Sequence, residues 1–429
     1  MRRHFSLAPI FDHNMVFQAN KPIRIYGSCK KHIDISVKFL GQEKKIRTKD
    51  NHFVIELDPE DYHDKGFSFV VESRKHIETI YNCLIGDVFL MVGGKNVSQT
   101  IKKSSKEIDY TSERIRFYQG KKKQTWLHPS KDSLDEISVL AYLFSKHIHI
   151  QKHMPIGIIT YAKDDESIFS WSNPNMIMSD KDIKNYVQSI FQAKKHELGR
   201  DYQFLKKHLF LLSFKSILLY QGENDFQHIH FYEKALRLLI KTYRTDLRDT
   251  YLPFYIIQMP SFESKDKHYI ASSEIRIAQS NACSDEHQIY VVSVVDIDEK
   301  DIVSINKSIL SKRLANMILE KQYRLAKNAS CPQLFSYQQR PGQVDIYIHQ
   351  NFLSLVSRSG QKLGFYYGDD RGQFYPVKDV SLTNNQISLK IKENAKEIRY
   401  AYDDNPTCDI YTSNGLPLLP FKILLDKAS

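Results

Sequence analysis

The sequence predicts an α/β protein, a parallel sheet with helices on both faces, flanked by an N-terminal and a C-terminal β module. Three observations carry this. From Leu84 to about Tyr323, short apolar runs such as Ile217-Leu218-Leu219-Tyr220 and Ile289-Tyr290-Val291-Val292 alternate with helix-period stretches at 139–147, 231–244 and 309–319. That is the pattern of buried strands joined by crossover helices. Before it, from Ile23 to about Tyr81, runs such as Ile33-Asp34-Ile35-Ser36-Val37 and Phe67-Ser68-Phe69-Val70-Val71 are punctuated by Gly27, Gly41 and Asp50-Asn51 and read as strands alone. After Cys331, period-two stretches return in Val344-Asp345-Ile346-Tyr347-Ile348 and Gln386-Ile387-Ser388-Leu389-Lys390-Ile391. The expected domains are therefore 1–82, 83–330 and 331–429, with no repeat or low-complexity linker between them.

Composition narrows the class. A chain of 429 residues, 41% hydrophobic and 26% charged, can bury two or three ordinary cores and is neither fibrous nor disordered. Met1-Arg2-Arg3-His4-Phe5-Ser6 begins like a signal peptide, but no apolar segment follows it, and no stretch approaches the roughly 20 apolar residues of a membrane helix. The expectation is a cytoplasmic protein with no membrane partner. Cys29, Cys83, Cys283, Cys331 and Cys408 are scattered and odd in number, which suggests neither a disulfide framework nor a zinc site. No metal or cofactor is expected. The net charge of +11 could serve nucleic acid, an anionic surface or an acidic ligand. Clusters such as Lys44-Lys45 and Lys121-Lys122-Lys123 are dispersed among apolar positions, however, which suits a solvated face better than a nucleic-acid groove.

The run from Ile85 to Asn96, IGDVFLMVGGKN, reads as a buried strand closed by a glycine pair, the edge at which α/β proteins build sites. This block resembles the sialate O-acetylesterase family of the SGNH hydrolases, whose first block is G-D-V-W-x-x-S-G-Q-S-N-M with the serine as nucleophile. Lys95 falls on that serine. Phe11 to Gln18 (FDHNMVFQ) is similar to the family's S-D-N-M-V-L-Q, and Pro155-Ile156-Gly157-Ile158-Ile159 to its P-I-G-L-I. Arg399 to Pro406 (RYAYDDNP) and Gly415 to Phe421 (GLPLLPF) are similar to R-Y-A-W-x-x-N-P and G-L-P-A-x-P-F. The resemblance implies an SGNH-hydrolase, flavodoxin-like sheet, hydrolysis of O-acetyl esters on sialic acids or related sugars, and no cofactor. A homo-oligomer is compatible with it.

The same resemblance allows the catalytic positions to be compared. Acyl-ester hydrolysis needs a nucleophile, a histidine to take its proton, an acid to orient the histidine, and donors for the oxyanion. The family's D-I-H-P-x-N-K falls on Asp301-Ile302-Val303-Ser304-Ile305-Asn306-Lys307, so Lys95, Asp301 and Val303 match its Ser, Asp and His, and the serine and histidine are lost. Its W-G-G-T-P-I-E-A-W falls on Lys163 to Trp171, which puts Asp164 and Asp165 in place of the oxyanion-block glycines. Tyr220-Gln221-Gly222-Glu223-Asn224-Asp225 is similar to Y-Q-G-E-S-N and keeps a donor at Asn224. Asn96, Gln221, Glu223, Arg276 and Gln279 are the substrate-binding candidates, Arg276 because a guanidinium suits a sialic acid carboxylate.

The expected protein is a family member with impaired chemistry that still binds sialic acid or another O-acetylated carbohydrate. Lys95 is expected to ion-pair with one or more of Asp164, Asp165, Glu166 and Asp225, filling the pocket with a charge network. The alternatives are an active esterase with a rearranged site using Lys95 or Ser98, and a non-catalytic partner or anionic-polymer-binding protein. A carboxylate metal site from those same acids lacks a recognised loop, and His228 and His230 suit surface or capping roles.

Overall fold

The computed structural model of the chain describes residues 4–101, 110–119, 125–190, 198–261, 271–297, 307–349 and 353–426. It forms two compact units, Met1–Leu219 with Leu238–Phe254, and Tyr220–Arg237 with Tyr255–Ser429. The strands of the first unit are β1 (Phe5–Leu7), β2 (Val16–Gln18), β3 (Ile23–Cys29), β4 (Asp34–Phe39), β5 (Gln42–Arg47), β6 (His52–Leu57), β7 (His63–Ser73), β8 (His76–Gly93), β9 (Ile115–Gln119), β10 (Trp126–Leu127), β11 (Ile156–Ala162) and β12 (Ser216–Tyr220). Its helices are α1 (Lys95–Ser98), α2 (Val139–Lys152), α3 (Ile168–Trp171), α4 (Pro174–Ser179), α5 (Lys181–Ile190) and α6 (Arg200–His208). A longer helix, α7 (Ile229–Leu247), follows.

The 18-residue β8 organises the first unit. Its first part is only partly covered and pairs antiparallel with β7. From Cys83 to Gly93 every residue is buried, and this part pairs in parallel with β2 and β11. The continuous apolar run thus reflects a strand covered on both faces. Between the two parts the ladder shifts register and Asn82 takes φ 55°, a local irregularity that turns one strand from the β module into the central sheet. The expected boundary at 82/83 falls inside this strand. In the central sheet the order is β10-β9-β11-β8-β12, with β9 and β11 parallel and β10 antiparallel to β9, so the sheet is mixed. Gly86 is required by close approach, since an added Cβ would lie 2.0 Å from the Pro155 carbonyl oxygen. Helix α2 packs on β9 and β11. Ser138 caps its start by accepting from Ala141 N–H at 3.3 Å, and His153 at φ 54° ends it.

In the second unit β13 (Phe254–Ile257) and β14 (Ile289–Val292) are neighbours, and α8 (Ala271–Ala282) and α9 (Lys307–Lys321) pack on β14. The chain then continues through β15 (Gln333–Arg340), β16 (Gln343–His349), β17 (Leu355–Ser357), β18 (Phe365–Gly368), β19 (Phe374–Pro376), β20 (Asp379–Leu382), β21 (Gln386–Lys390), β22 (Glu397–Tyr400), β23 (Ile410–Thr412) and β24 (Phe421–Leu424). Two four-stranded sheets, β15-β16-β21-β20 and β19-β18-β22-β24, share a core that includes Val344, Ile346, Ile387, Leu389, Ile398 and Tyr400. These are the inward positions of the period-two runs. Among the described residues no helix is long and apolar enough to cross a membrane, and the five cysteines are all free.

Candidate functional site

The turn that follows β8 holds the first candidates. Gly94 precedes the four-residue α1, and Val97 N–H donates to Gly94 O at 3.0 Å. Val97 is fully buried, which leaves Lys95 and Ser98 on the exposed side and Asn96 half-buried. Ser98 Oγ donates to Lys95 O at 3.1 Å, so its proton rests on helix backbone rather than on a base. The strand ladder brings the second block to this turn. Ala162 at the end of β11 faces Gly93, and Lys163 N–H donates to Gly93 O at 2.9 Å. Asp164 and Asp165 therefore leave the sheet beside the turn that carries Lys95.

Asp165 adopts φ 61°, the left-handed region that glycine enters freely and that aspartate tolerates better than most residues. The backbone form suited to a glycine is present there with a carboxylate attached. The expected charge network is not. Lys95, Asp164 and Asp165 are all exposed, and none forms an ion pair among the described residues. Glu166 pairs instead with Arg200, and Asp225 is held by Gln221. Long side chains in water gain too little from pairing to overcome their rotamer entropy. No cluster of metal-ligating side chains occurs among the described residues.

Below the turn, two sequence blocks 69 residues apart meet. Gln18 Nε2 donates to Asp87 Oδ1 at 3.1 Å while Gln18 Oε1 accepts from Val88 N–H at 2.8 Å. Tyr62 OH lies 3.2 Å from both Asp87 oxygens, and Lys215 Nζ is 3.7 Å from Oδ1. Asp87 is fully buried, so these donors replace the water it lost. Burial, and then the neighbouring Asp87 carboxylate, push the Tyr62 phenol well above its ordinary range, which keeps it a donor. Gln18 and Asp87 both lie in motif blocks, and that was the available signal for this buried network. A second buried carboxylate, Asp201, accepts from Ser170 Oγ at 2.6 Å and Tyr161 OH at 2.7 Å. Nothing in the sequence pointed to it.

In the second unit, the candidates at Gln221 and Gln279 form a closed network. Gln221 Nε2 donates to Asp225, and its Oε1 accepts from Tyr232 OH at 3.0 Å. Gln279 Nε2 donates to Gln221 O at 2.9 Å, and its Oε1 accepts from Met259 N–H at 2.9 Å. Both glutamines are buried and have their polar atoms committed. Tyr232, fully buried, has its phenol raised far above the ordinary value by desolvation and then by Asp225. The turn at Gly222, φ 135°, has Ile275 and Met259 side-chain atoms 3.0 Å from where a Cβ would sit. Beyond that turn Glu223 is half-buried, and Asn224 is exposed with no hydrogen-bond partner among the described residues.

Arg276 is committed through its two terminal nitrogens, while its buried Nε has no hydrogen-bond partner among the described residues. It is 0% exposed, donates through Nη1 to Pro260 O at 2.8 Å and through Nη2 to Asp403 O, and burial lowers its pKa to about 10. Its guanidinium ties α8 to the loop between β22 and β23 and does not face solvent. Asp301 and Val303 lie outside the described residues.

The architecture has a solved counterpart. The carbohydrate acetylesterase of Xanthomonas citri is 18% identical and superposes with a TM-score of 0.85 over 98% of this chain and 99% of that one, so this chain has a carbohydrate-esterase fold. A protein of Arabidopsis thaliana (16% identity, TM-score 0.38, 55% of this chain and 98% of that one) and a family two carbohydrate esterase of Clostridium thermocellum (11%, 0.30, 71% and 91%) are much less alike in structure. No curated protein sequence matches. The family model described as carbohydrate esterase, sialic acid-specific acetylesterase, matches residues 86–320, more than half of the chain. The chain belongs to this sialic acid-specific acetylesterase family of carbohydrate esterases.

Proposed function

We propose that this chain is a sialate O-acetylesterase-like protein of SGNH-hydrolase type whose hydrolysis is impaired and whose carbohydrate binding persists. The observation that carries the reading is the turn after β8. By resemblance the nucleophilic serine belongs there, and the residue is Lys95, exposed and unpaired among the described residues. Lysine offers no hydroxyl oxygen to acylate, and an exposed one lacks the desolvation that makes lysine amines nucleophilic. Asp164 and Asp165 sit beside the same turn, where negative charge opposes the oxyanion of an acyl-transfer transition state. Val303 at the histidine position cannot accept a proton. Asn224 remains as a donor that nothing in the described protein uses. The five free cysteines support a reducing, cytoplasmic setting.

The test is acetate release from 9-O-acetylated sialic acid and from an aryl acetate. The natural protein is expected to release none, and a Lys95→Ser, Val303→His, Asp164→Gly, Asp165→Gly variant to gain activity. Hydrolysis by the natural protein that disappears in Lys95→Ala overturns the reading and points to a rearranged active site.

A further inference from the structure

We infer that the outer face of the β19-β18-β22-β24 sheet carries a receptor for the carboxylate of an acidic sugar, centred on Arg399. The inference rests on the reading of this chain as a carbohydrate-binding protein and adds a second binding site to it. Strand alternation builds the face. Phe365, Tyr367, Ile398, Tyr400, Phe421 and Ile423 point into the core, so the intervening residues point out. The register sets Tyr366 opposite Arg399 and Arg399 opposite Lys422, which places all three on the outer face.

What distinguishes Arg399 is how it is held. Gly368 faces Phe374 across the ladder, and an added Cβ there would lie 2.7 Å from the Phe374 ring. The missing side chain therefore lets that ring lie over the glycine. The Arg399 guanidinium carbon sits 3.6 Å from the Phe374 ring centroid and 4.1 Å from that of Tyr402, so two rings hold the planar group. Its Nε donates to Glu397. Nη1 and Nη2 make no hydrogen bond among the described residues, and the side chain is 18% exposed.

A guanidinium fixed by two rings and tied at Nε presents its remaining N–H groups as a ready fork. Two parallel N–H···O bonds to a carboxylate match that fork, and the ordering entropy of the side chain has already been met by the fold. Charge alone does not supply the attraction. Glu397 sits on Arg399, and Glu274 accepts from Lys422 Nζ at 2.7 Å and from Tyr402 OH. The cluster is neutral, so geometry selects the ligand. Beside the fork, Tyr366 exposes 41% of its surface, a flat apolar face of the kind on which the C–H side of a pyranose packs.

The experiment is ligand-observed NMR and calorimetric titration of the full chain with the methyl α-glycoside of N-acetylneuraminic acid, its carboxyl methyl ester, methyl glucuronide and methyl glucoside. The acidic glycosides should bind while the ester and the glucoside do not, and comparison of sialoside with glucuronide tells which acidic sugar is preferred. Arg399→Gln should weaken binding by at least about tenfold, and Arg399→Lys nearly as much, because lysine keeps the charge and loses the fork. Tyr366→Ala, on the surface, provides a second variant that leaves the fold intact and should also weaken binding. No binding to the natural protein, equal binding of ester and acid, or binding that survives both Arg399→Gln and Tyr366→Ala overturns the inference. Sialoside binding that survives Arg399→Gln and is lost in Asn224→Ala removes this receptor and leaves the proposed function standing.

Discussion

Replacing Arg276 by methionine tests whether its guanidinium serves the fold or a ligand. The substitution keeps an apolar stem of similar length and removes every polar nitrogen. Pro260 O, 2.8 Å from Nη1, and Asp403 O, bonded to Nη2, lose their donor. The contacts to Ser273 Oγ and Asp404 O, both 3.4 Å, are long enough to add little. Hydrogen bonds from a charged donor contribute about 1.5–3 kcal/mol each, so the two short ones imply a gross loss of about 3–6 kcal/mol, which relief of the buried guanidinium and its unpartnered Nε partly offsets. That is a large part of the roughly 5–15 kcal/mol typical of a whole domain. Urea unfolding followed by circular dichroism measures it, together with sialoside binding at low denaturant. A stability loss below about 1 kcal/mol accompanied by loss of sialoside binding refutes the structural assignment and returns Arg276 to the ligand site.

Lys307, 3% exposed, has its pKa lowered by burial from 10.5 to about 8. The folded chain then releases this proton near pH 8 while the unfolded chain holds it to about 10.5, so the unfolded state binds more protons in that window and stability rises with pH across it. Lys307→Met should flatten that rise and stabilise the protein near neutral pH by up to about 3 kcal/mol. Urea midpoints measured across the window check it, and an unchanged slope contradicts it. At Asp165, relief of a left-handed backbone at φ 61° opposes the extra entropy that glycine gives the unfolded chain. Asp165→Gly should thus fall between neutral and about 1 kcal/mol stabilising, and thermal unfolding that shows a clear loss means the exposed carboxylate has structural work.

Much of the candidate site was legible because motif blocks are local. The buried run Ile85–Gly93 and the glycine pair could be read directly, as could a lysine at 95 where the resemblance expects a serine, and the strand and turn stand where that reading put them. The partners of polar side chains could not be read this way. Lys95 was expected to pair with an acid and is exposed; Arg276 was expected to face a ligand and is buried; Gln221 and Gln279 were expected at a binding surface and instead bond to Asp225, Tyr232 and the backbone.

By itself the sequence determined the order of elements, the positions covered on one face or two, and the residue types within the motif blocks, since periodicity and motif spacing are properties of neighbouring residues. Tertiary structure alone decided that one strand, β8, serves both the N-terminal β module and the central sheet, that Lys163 N–H meets Gly93 O, and that Gln18 meets Asp87. The physical reason is that a buried donor or acceptor must replace its lost water from whatever group packing brings near, and that group can lie anywhere in the chain.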